Sequence, residues 1–158
     1  MKQFVLFFIS LFLLGVGTRS QEMYQKKVFI SSRGDSLNYR LLRPEVEKTG
    51  LQYPLVLFLH GAGERGSDNE KQLTHGGQMF LNPVNREKYP AFVLVPQCPE
   101  KDYWAYTSRP SSFIPSEMPA GQEITPVLRA VKELLDTYLD LPQVDRNRDR
   151  KSTRLNSS

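Results

Sequence analysis

The sequence has few of the residues that form disulfides and metal sites. Its 158 residues include one cysteine, Cys98, and two histidines, His60 and His75. A single cysteine excludes an internal disulfide framework and a multi-cysteine zinc site. The two histidines lack the short helical spacing of zinc ligands, and a metal site would have to recruit Glu64 or Asp68 as well. We therefore expect no metal.

Long apolar runs are also scarce. The run at residues 4–16 is shorter than the roughly 20 residues that a membrane-spanning helix needs. It follows Lys2 and precedes small and polar residues, a pattern typical of a secretory signal peptide. We predict a signal peptide over residues 1–20 and export to the periplasm or the extracellular space, with no stable membrane association after cleavage. An uncleaved N-terminal anchor is the alternative.

A surplus of positive charge is absent from most of the chain. The net charge is +4, but residues 21–145 hold 14 basic and 16 acidic residues, so the surplus lies at the two ends. This distribution argues against a nucleic-acid partner. The hydrophobic content of 39% is that of an ordinary globular domain.

The C-terminal stretch lacks any hydrophobic period. Residues 149–158, DRKSTRLNSS, resemble translated adaptor or vector sequence, which is left out of fold reasoning. A disordered basic tail and a nucleic-acid-binding tail are the alternatives. We predict a domain over residues 21–148 that is interrupted there, with no strand after the last helix.

The body of the chain has the element pattern of an α/β fold. Two β-prone runs flank Gly34-Asp35, which favours a hairpin turn over an adhesion role for the tripeptide at 33–35. Two continuously apolar runs are typical of buried parallel strands. The predicted strands are 27–32, 37–43, 54–59 and 91–95, and the predicted helices are 68–74, 83–88 and 124–138 with Thr125 as N-cap.

A glycine-rich loop at residues 60–66, called here the glycine loop, directly follows the first buried strand. Three glycines in seven residues allow the main chain to approach a ligand closely. Ligands of open α/β sheets bind at the carboxyl ends of parallel strands. The chemistry available to such a loop is donation of backbone N–H groups to a developing oxyanion.

The string PLVLFLHGAGERG at residues 54–66 resembles the third strand and oxyanion loop of α/β-hydrolase-fold esterases of the HGxGERG type, phospholipase/carboxylesterase-like or polysaccharide-associated. AFVLVPQCP at residues 91–99 resembles the next strand of that group. The resemblance covers roughly residues 27–148. It implies an incomplete α/β-hydrolase fold, with an N-terminal antiparallel hairpin followed by parallel strands and flanking helices.

The resemblance also implies roles for the loop residues. It makes the backbone N–H of Ala62 one oxyanion donor and Gly63 a neighbouring candidate. His60 is then structural, as are Gly61, Glu64, Arg65 and Gly66. Trp104 and Tyr106 either line a substrate pocket or close over the core beneath a loop.

The nucleophile elbow G-x-S-x-G occurs nowhere in the 158 residues. In this fold the catalytic order is Ser, Asp or Glu, then His, so we expect all three beyond the end of the chain. Cys98 paired with a histidine is a poor substitute nucleophile, since a lone cysteine after a buried strand is usually inert. The Ser111-Ser112 pair lacks the strand-turn-helix setting.

The resemblance implies an exported serine carboxylic-ester hydrolase that acts through an acyl-enzyme without a cofactor. Its substrate would be a small-molecule or polysaccharide-linked ester, and the chain as given would be inactive. Two alternatives stay open, namely a serine peptidase of the same fold and a non-catalytic secreted binding module. We also expect the chain to fold poorly, because unpaired apolar strand edges promote aggregation.

Overall fold

The structure is a computed structural model. It describes residues 23–105, 123–148 and 150–153. The predicted signal peptide, Tyr106 and the Ser111-Ser112 pair lie outside the described residues. Among the helices in the described part of the chain, none is both long and apolar enough to cross a membrane.

Five strands form one mixed sheet. They are β1 (Gln25–Ile30), β2 (Ser36–Leu42), β3 (Leu55–Leu59), β4 (Phe92–Pro96) and β5 (Arg150–Thr153). Their spatial order is β1-β2-β4-β3-β5. β2 pairs antiparallel with both β1 and β4, whereas β3 pairs in parallel with β4 and β5. The predicted fold class, a hairpin followed by parallel strands, is confirmed.

The hairpin between β1 and β2 has the predicted turn. Ile30 pairs with Ser36, and the Ser31 N–H donates to the Asp35 carbonyl at 2.8 Å. Gly34 has φ +87°, a left-handed conformation that glycine adopts without steric cost. The tripeptide at 33–35 therefore forms a hairpin tip.

Two α-helices match the predicted positions closely. They are α1 (Pro83–Lys88) and α2 (Pro126–Leu139). The Thr125 side chain accepts a hydrogen bond from the Leu128 N–H at 3.1 Å, as expected of an N-cap. The helix predicted over 68–74 is shorter, a 3₁₀ turn at Lys71–Leu73, because Asp68 accepts from the N–H groups of Glu70 and Lys71 and so starts the turn later.

The expectation that no strand follows α2 is wrong. β5 pairs with β3 from Val56↔Arg150 to Leu59↔Thr153. Its residues are Arg-Lys-Ser-Thr, so no apolar alternation marks them as a strand. The pairing uses backbone groups that every residue type supplies, and polar residues are well tolerated at a sheet edge.

Each face of the sheet carries its own apolar cluster. On one face α2 packs through Val127, Val131 and Leu134 against strand residues such as Leu57 and Leu94. On the other face the 3₁₀ turns Lys71–Leu73 and Gly77–Phe80 cover Phe58, Val93 and Val95. β4 is buried over its whole length, as expected for a central strand covered on both sides.

Candidate active site

The glycine loop leaves the sheet at the carboxyl end of β3, beside the carboxyl end of its parallel neighbour β4. Ligands bind at this position in open α/β sheets. The structure brings together all seven loop residues named from the sequence, and Trp104 packs against them. We therefore treat this edge of the sheet as the candidate site.

His60 is buried, with 3% of its surface exposed, and both ring nitrogens have backbone partners. The Cys98 N–H donates to Nε2 at 2.9 Å, so Nε2 is unprotonated. Nδ1 therefore carries the proton and donates to the Gly61 carbonyl at 2.6 Å. Burial lowers the pKa of His60, which favours this neutral form. With both nitrogens engaged, the ring braces the loop and has no atom free to act as a base.

Ala62 and Gly63 lie at the start of a 3₁₀ turn, Ala62–Glu64, and both are exposed. The first N–H groups of a helical turn have no partner within the turn. Among the described residues, no acceptor pairs with the N–H of either residue. A Cβ placed on Gly63 would meet no atom within 4 Å, so there is open space beside the Cα of Gly63.

Glu64 points inward and is 6% exposed. Its Oε1 lies 3.4 Å from Nε2 of the exposed His75, and its Oε2 lies 3.9 Å from His60 Nδ1. Oε2 has no hydrogen-bond partner among the described residues. The carboxylate is thus beneath the loop and away from the open space at Gly63.

Arg65 ties the loop to the segment after β4. Its Nε donates to the Ala62 carbonyl at 2.9 Å and another guanidinium nitrogen donates to the Asp102 carbonyl at 3.2 Å. The guanidinium carbon lies 4.2 Å from the centre of the Tyr103 ring, a cation–π distance. This set of contacts braces the turn that contains Ala62.

Trp104 is half-buried against the loop. Its Nε1–H donates to the His60 carbonyl at 3.0 Å, and the two rings are 5.2 Å apart in an edge arrangement. The Trp104 carbonyl accepts from the Thr125 hydroxyl at 3.1 Å, which connects the loop to the start of α2. Its partner in the sequence-based prediction, Tyr106, lies outside the described residues.

Cys98 has the surroundings of a packed thiol. It is fully buried, and burial raises the pKa of the thiol to about 12, with a smaller contribution from Asp102. The nearby His60 Nε2 accepts from the Cys98 backbone N–H, so it is not available to deprotonate the sulfur. A nucleophile at this position would need a thiolate, which these surroundings disfavour.

Gln97 contributes to the site and was missed by sequence reasoning. It directly follows β4 and is 1% exposed, and its side chain contacts Glu64 in the glycine loop and Asp68 and Asn69 just after the loop. The available signal was a long polar side chain two residues after the apolar run at 91–95, beyond Pro96. A buried polar side chain requires hydrogen-bond partners, and here the partners are in the loop.

A cavity of about 850 Å³ lies at the opposite end of the parallel strands from the glycine loop. Its lining includes Pro54 and Val56 near the start of β3 and Ala91 and Val93 near the start of β4. It is therefore separated from the glycine loop by the length of the strands. In the described part of the chain, no three His, Cys, Asp or Glu side chains are grouped so as to hold a metal ion.

Comparison with known proteins relates this geometry to esterases. No protein-family model and no curated protein sequence matches the chain. A thermostable esterase of known structure matches over 84% of the chain with 30% sequence identity and a TM-score of 0.70. The chain has an incomplete α/β-hydrolase fold. The chain spans about a third (34%) of the length of that esterase.

Two further solved structures match more distantly. The BES protein from Bacillus cereus is 13% identical over 82% of the chain and 52% of its own length, with a TM-score of 0.47. A fungal esterase from Rhizomucor miehei is 16% identical over 82% of the chain and 34% of its own length, with a TM-score of 0.42. The predicted resemblance to α/β-hydrolase-fold esterases is confirmed by the first match.

Proposed function

We propose that the chain is part of a serine carboxylic-ester hydrolase and that the glycine loop supplies its oxyanion donors. The observation that carries the proposal is the loop itself: the exposed residues Ala62 and Gly63 have N–H groups without acceptors among the described residues, and they follow the carboxyl end of a parallel strand. The 30% identity to a thermostable esterase over 84% of the chain supports it.

The reaction would proceed through an acyl-enzyme. A serine attacks the ester carbonyl, the carbonyl oxygen becomes negatively charged, and the Ala62 N–H stabilises that charge. One such donor contributes about 3 kcal/mol to transition-state stabilisation. The loop contacts made by His60 and Arg65 hold the turn in place before substrate arrives. No cofactor takes part in this chemistry.

The catalytic Ser, Asp or Glu, and His belong, on this proposal, to a longer product of the gene. The 158 residues contain no G-x-S-x-G, and the second oxyanion donor is expected from the residue after that serine. The chain as given would therefore be inactive, and any turnover by it that survives replacement of Cys98 would contradict the proposal.

The experiment has two stages. The coding sequence downstream of codon 148 should encode G-x-S-x-G, then an acid, then a histidine. The full-length product should hydrolyse an activated acetyl ester, and Ser→Ala at the elbow should abolish that activity. Cleavage of peptide anilides in preference to esters would instead favour a peptidase. Absence of the elbow and of all hydrolysis would favour a binding module.

We also propose that the protein is exported and acts on small-molecule or polysaccharide-linked esters. The support is the pattern of residues 1–20, a positive residue followed by an apolar run. N-terminal sequencing of the protein recovered outside the cytoplasm tests this. A mature chain beginning near Gln21 is expected, and an intact Met1 would contradict cleavage.

A further inference from the structure

We propose that Gln97 is a positioning residue for the reaction, because it holds the glycine loop in the conformation that presents the Ala62 N–H. The proposal deepens the proposed function and rests on it. Gln97 does not face the open space at Gly63, so it would act through the loop and not on the substrate.

The side chain of Gln97 uses both ends of its amide on the glycine loop and on the segment that directly follows it. Its Nε2 donates to the Asp68 carboxylate at 2.9 Å and lies 3.3 Å from the Glu64 carbonyl. Its Oε1 accepts from the Asn69 N–H at 2.7 Å. One side chain therefore binds the end of the 3₁₀ turn Ala62–Glu64 and the segment that leaves it.

The neighbouring residue completes the attachment. The Cys98 N–H donates to His60, where the loop begins, and the Cys98 carbonyl accepts from the Gly66 N–H at 3.0 Å, where it ends. Two consecutive residues at the end of β4 thus hold the entry, the turn and the exit of the loop. The Cys98 contacts depend on backbone atoms and on His60, whereas those of Gln97 depend on its own side chain.

The segment that Gln97 contacts includes a residue with a left-handed backbone. Asn69, whose N–H Gln97 accepts, has φ +55°, a region that asparagine adopts more readily than most other non-glycine residues. A Cβ on Gly66 would lie 3.3 Å from Gln97 Nε2, so the main chain passes unusually close to the amide. A buried hydrogen-bond network specifies a single arrangement when its members are paired.

Loss of the Gln97 amide should therefore move the turn. The Asp68 carboxylate, the Glu64 carbonyl and the Asn69 N–H would each lose a buried partner, and the loop would relax to find others. A displacement of about 1 Å at a reacting group can reduce the rate by about a hundredfold. The loss of rate should appear as a lower kcat and not as a higher KM, because the Ala62 N–H acts on the transition state more than on bound substrate.

The test is a double-mutant cycle in the full-length enzyme between Gln97→Met and Ala62→Pro. Gln97→Met keeps the length of the side chain and removes the amide. Ala62→Pro removes the donor N–H, and proline suits the first position of a helical turn that follows Gly61 at ψ 178°. Ala62→Ser, which keeps the N–H, separates loss of the donor from a change of side chain at the same position. Gln52→Met, which alters an exposed glutamine bonded to the Pro142 carbonyl, is the control.

We expect Ala62→Pro to lower kcat about 10²- to 10³-fold, and Gln97→Met to lower it about 10- to 100-fold with KM changed less than about threefold. The kcat of the double variant should be within about threefold of the kcat of Ala62→Pro, because both changes remove the same interaction. The proposal would be overturned if the fold-loss of kcat in the double variant equalled the product of the two single losses. An unchanged kcat in Gln97→Met would also overturn it. A purely structural role would lower stability without this coupling.

Amide hydrogen exchange of the same proteins supplies a readout independent of turnover. Gln97→Met should raise the exchange rate of the Gly66 N–H at least about tenfold, although its acceptor is untouched, and Gln52→Met should leave it unchanged. Equal exchange in the wild type and Gln97→Met would overturn the proposal. If wild type shows no hydrolysis, or Ala62→Pro has no effect, the proposed function fails, whereas the exchange data still show whether Gln97 holds the loop.

Discussion

At the scale of single residues, polar groups shape the glycine loop more than apolar ones do. His60, Glu64 and Gln97 are all buried beneath it, and each lies within contact distance of another loop atom. Paired polar groups in a protein interior impose direction as well as proximity, which apolar contacts do not. The conformation of the loop is therefore supported by buried side chains.

Cys98 provides a direct check on these buried surroundings. Burial raises the thiol pKa to about 12, so at about pH 8 almost no thiolate is present and the sulfur is shielded. We expect no reaction of the native protein with Ellman's reagent and reaction of one thiol after unfolding in guanidinium. Because the chain has one cysteine, the absorbance reading is unambiguous. Rapid reaction of the native protein would contradict the packing described around His60.

Asp68 makes the free energy of unfolding depend on pH in the acidic range. Burial acts to raise its pKa, but hydrogen bonds from the Lys71 N–H, Gln97 and the Glu70 N–H outweigh it, and the pKa falls from 3.8 to about 2. The carboxylate is thus stabilising above about pH 4, and its contribution is lost as the pH falls towards 2. The side chain is 36% exposed, so solvent screening limits the contribution to about 1 kcal/mol.

Urea unfolding of the wild type and Asp68→Asn measures this contribution. The variant should be less stable by about 1 kcal/mol at pH 7, and the difference should shrink steadily between about pH 4 and pH 2. A difference that does not change with pH would mean that the charge of Asp68 plays no part.

The position of the glycine loop could be predicted from the sequence, but the buried side-chain contacts that hold the loop in place could not. His60 and the glycines follow an apolar strand, so their location at the strand end could be predicted from local order alone. The role of Gln97 could not, because its partners Glu64, Asp68 and Asn69 are about 30 residues away in the chain and meet it only when β3 and β4 pair. No local pattern contains that information.

At the scale of elements, the structure packs Gly76 against the sheet. It has φ +100°, and a Cβ there would lie 2.7 Å from Cζ of the buried Phe58 ring, which also packs against Phe80. Gly34 has a similar φ of +87°, but a Cβ there would meet no atom within 4 Å. The two glycines therefore form a matched pair that separates backbone strain from steric contact.

Substitution of each glycine by alanine tests this packing. Gly34→Ala should lower the free energy of unfolding by about 1 kcal/mol through its backbone conformation alone. Gly76→Ala should lower it by a further 1–3 kcal/mol or so, because Phe58 must move within a packed cluster. Equal losses in urea unfolding would show that the 3₁₀ turns do not pack on β3 as described.

The elements also show where hydrophobic pattern predicts structure and where it fails. β3, β4 and α2 have strong apolar patterns and were predicted within a residue or two. β5 has none, yet it pairs in parallel with β3. The expected unpaired apolar strand edges are therefore not found at β3, which is paired with β5 along Val56–Leu59.

At the scale of the whole molecule, the described residues form one sheet with a hairpin at one edge and the candidate site at the carboxyl ends of the parallel strands. The +4 net charge does not describe this body, whose residues 21–145 have two more acidic than basic side chains. The chain spans about a third of the thermostable esterase that it matches. Under the proposed function, the oxyanion donors lie in these residues and the nucleophile lies outside them.

A fluorophosphonate probe tests this division of the active site most directly. It labels a serine only when the serine is activated by its base and the phosphoryl oxygen is held by oxyanion donors. Mass spectrometry should show one label on the full-length product, at the serine of G-x-S-x-G, and none on the 158-residue chain. Labelling of the 158-residue chain, or none of the full-length product, would contradict the account.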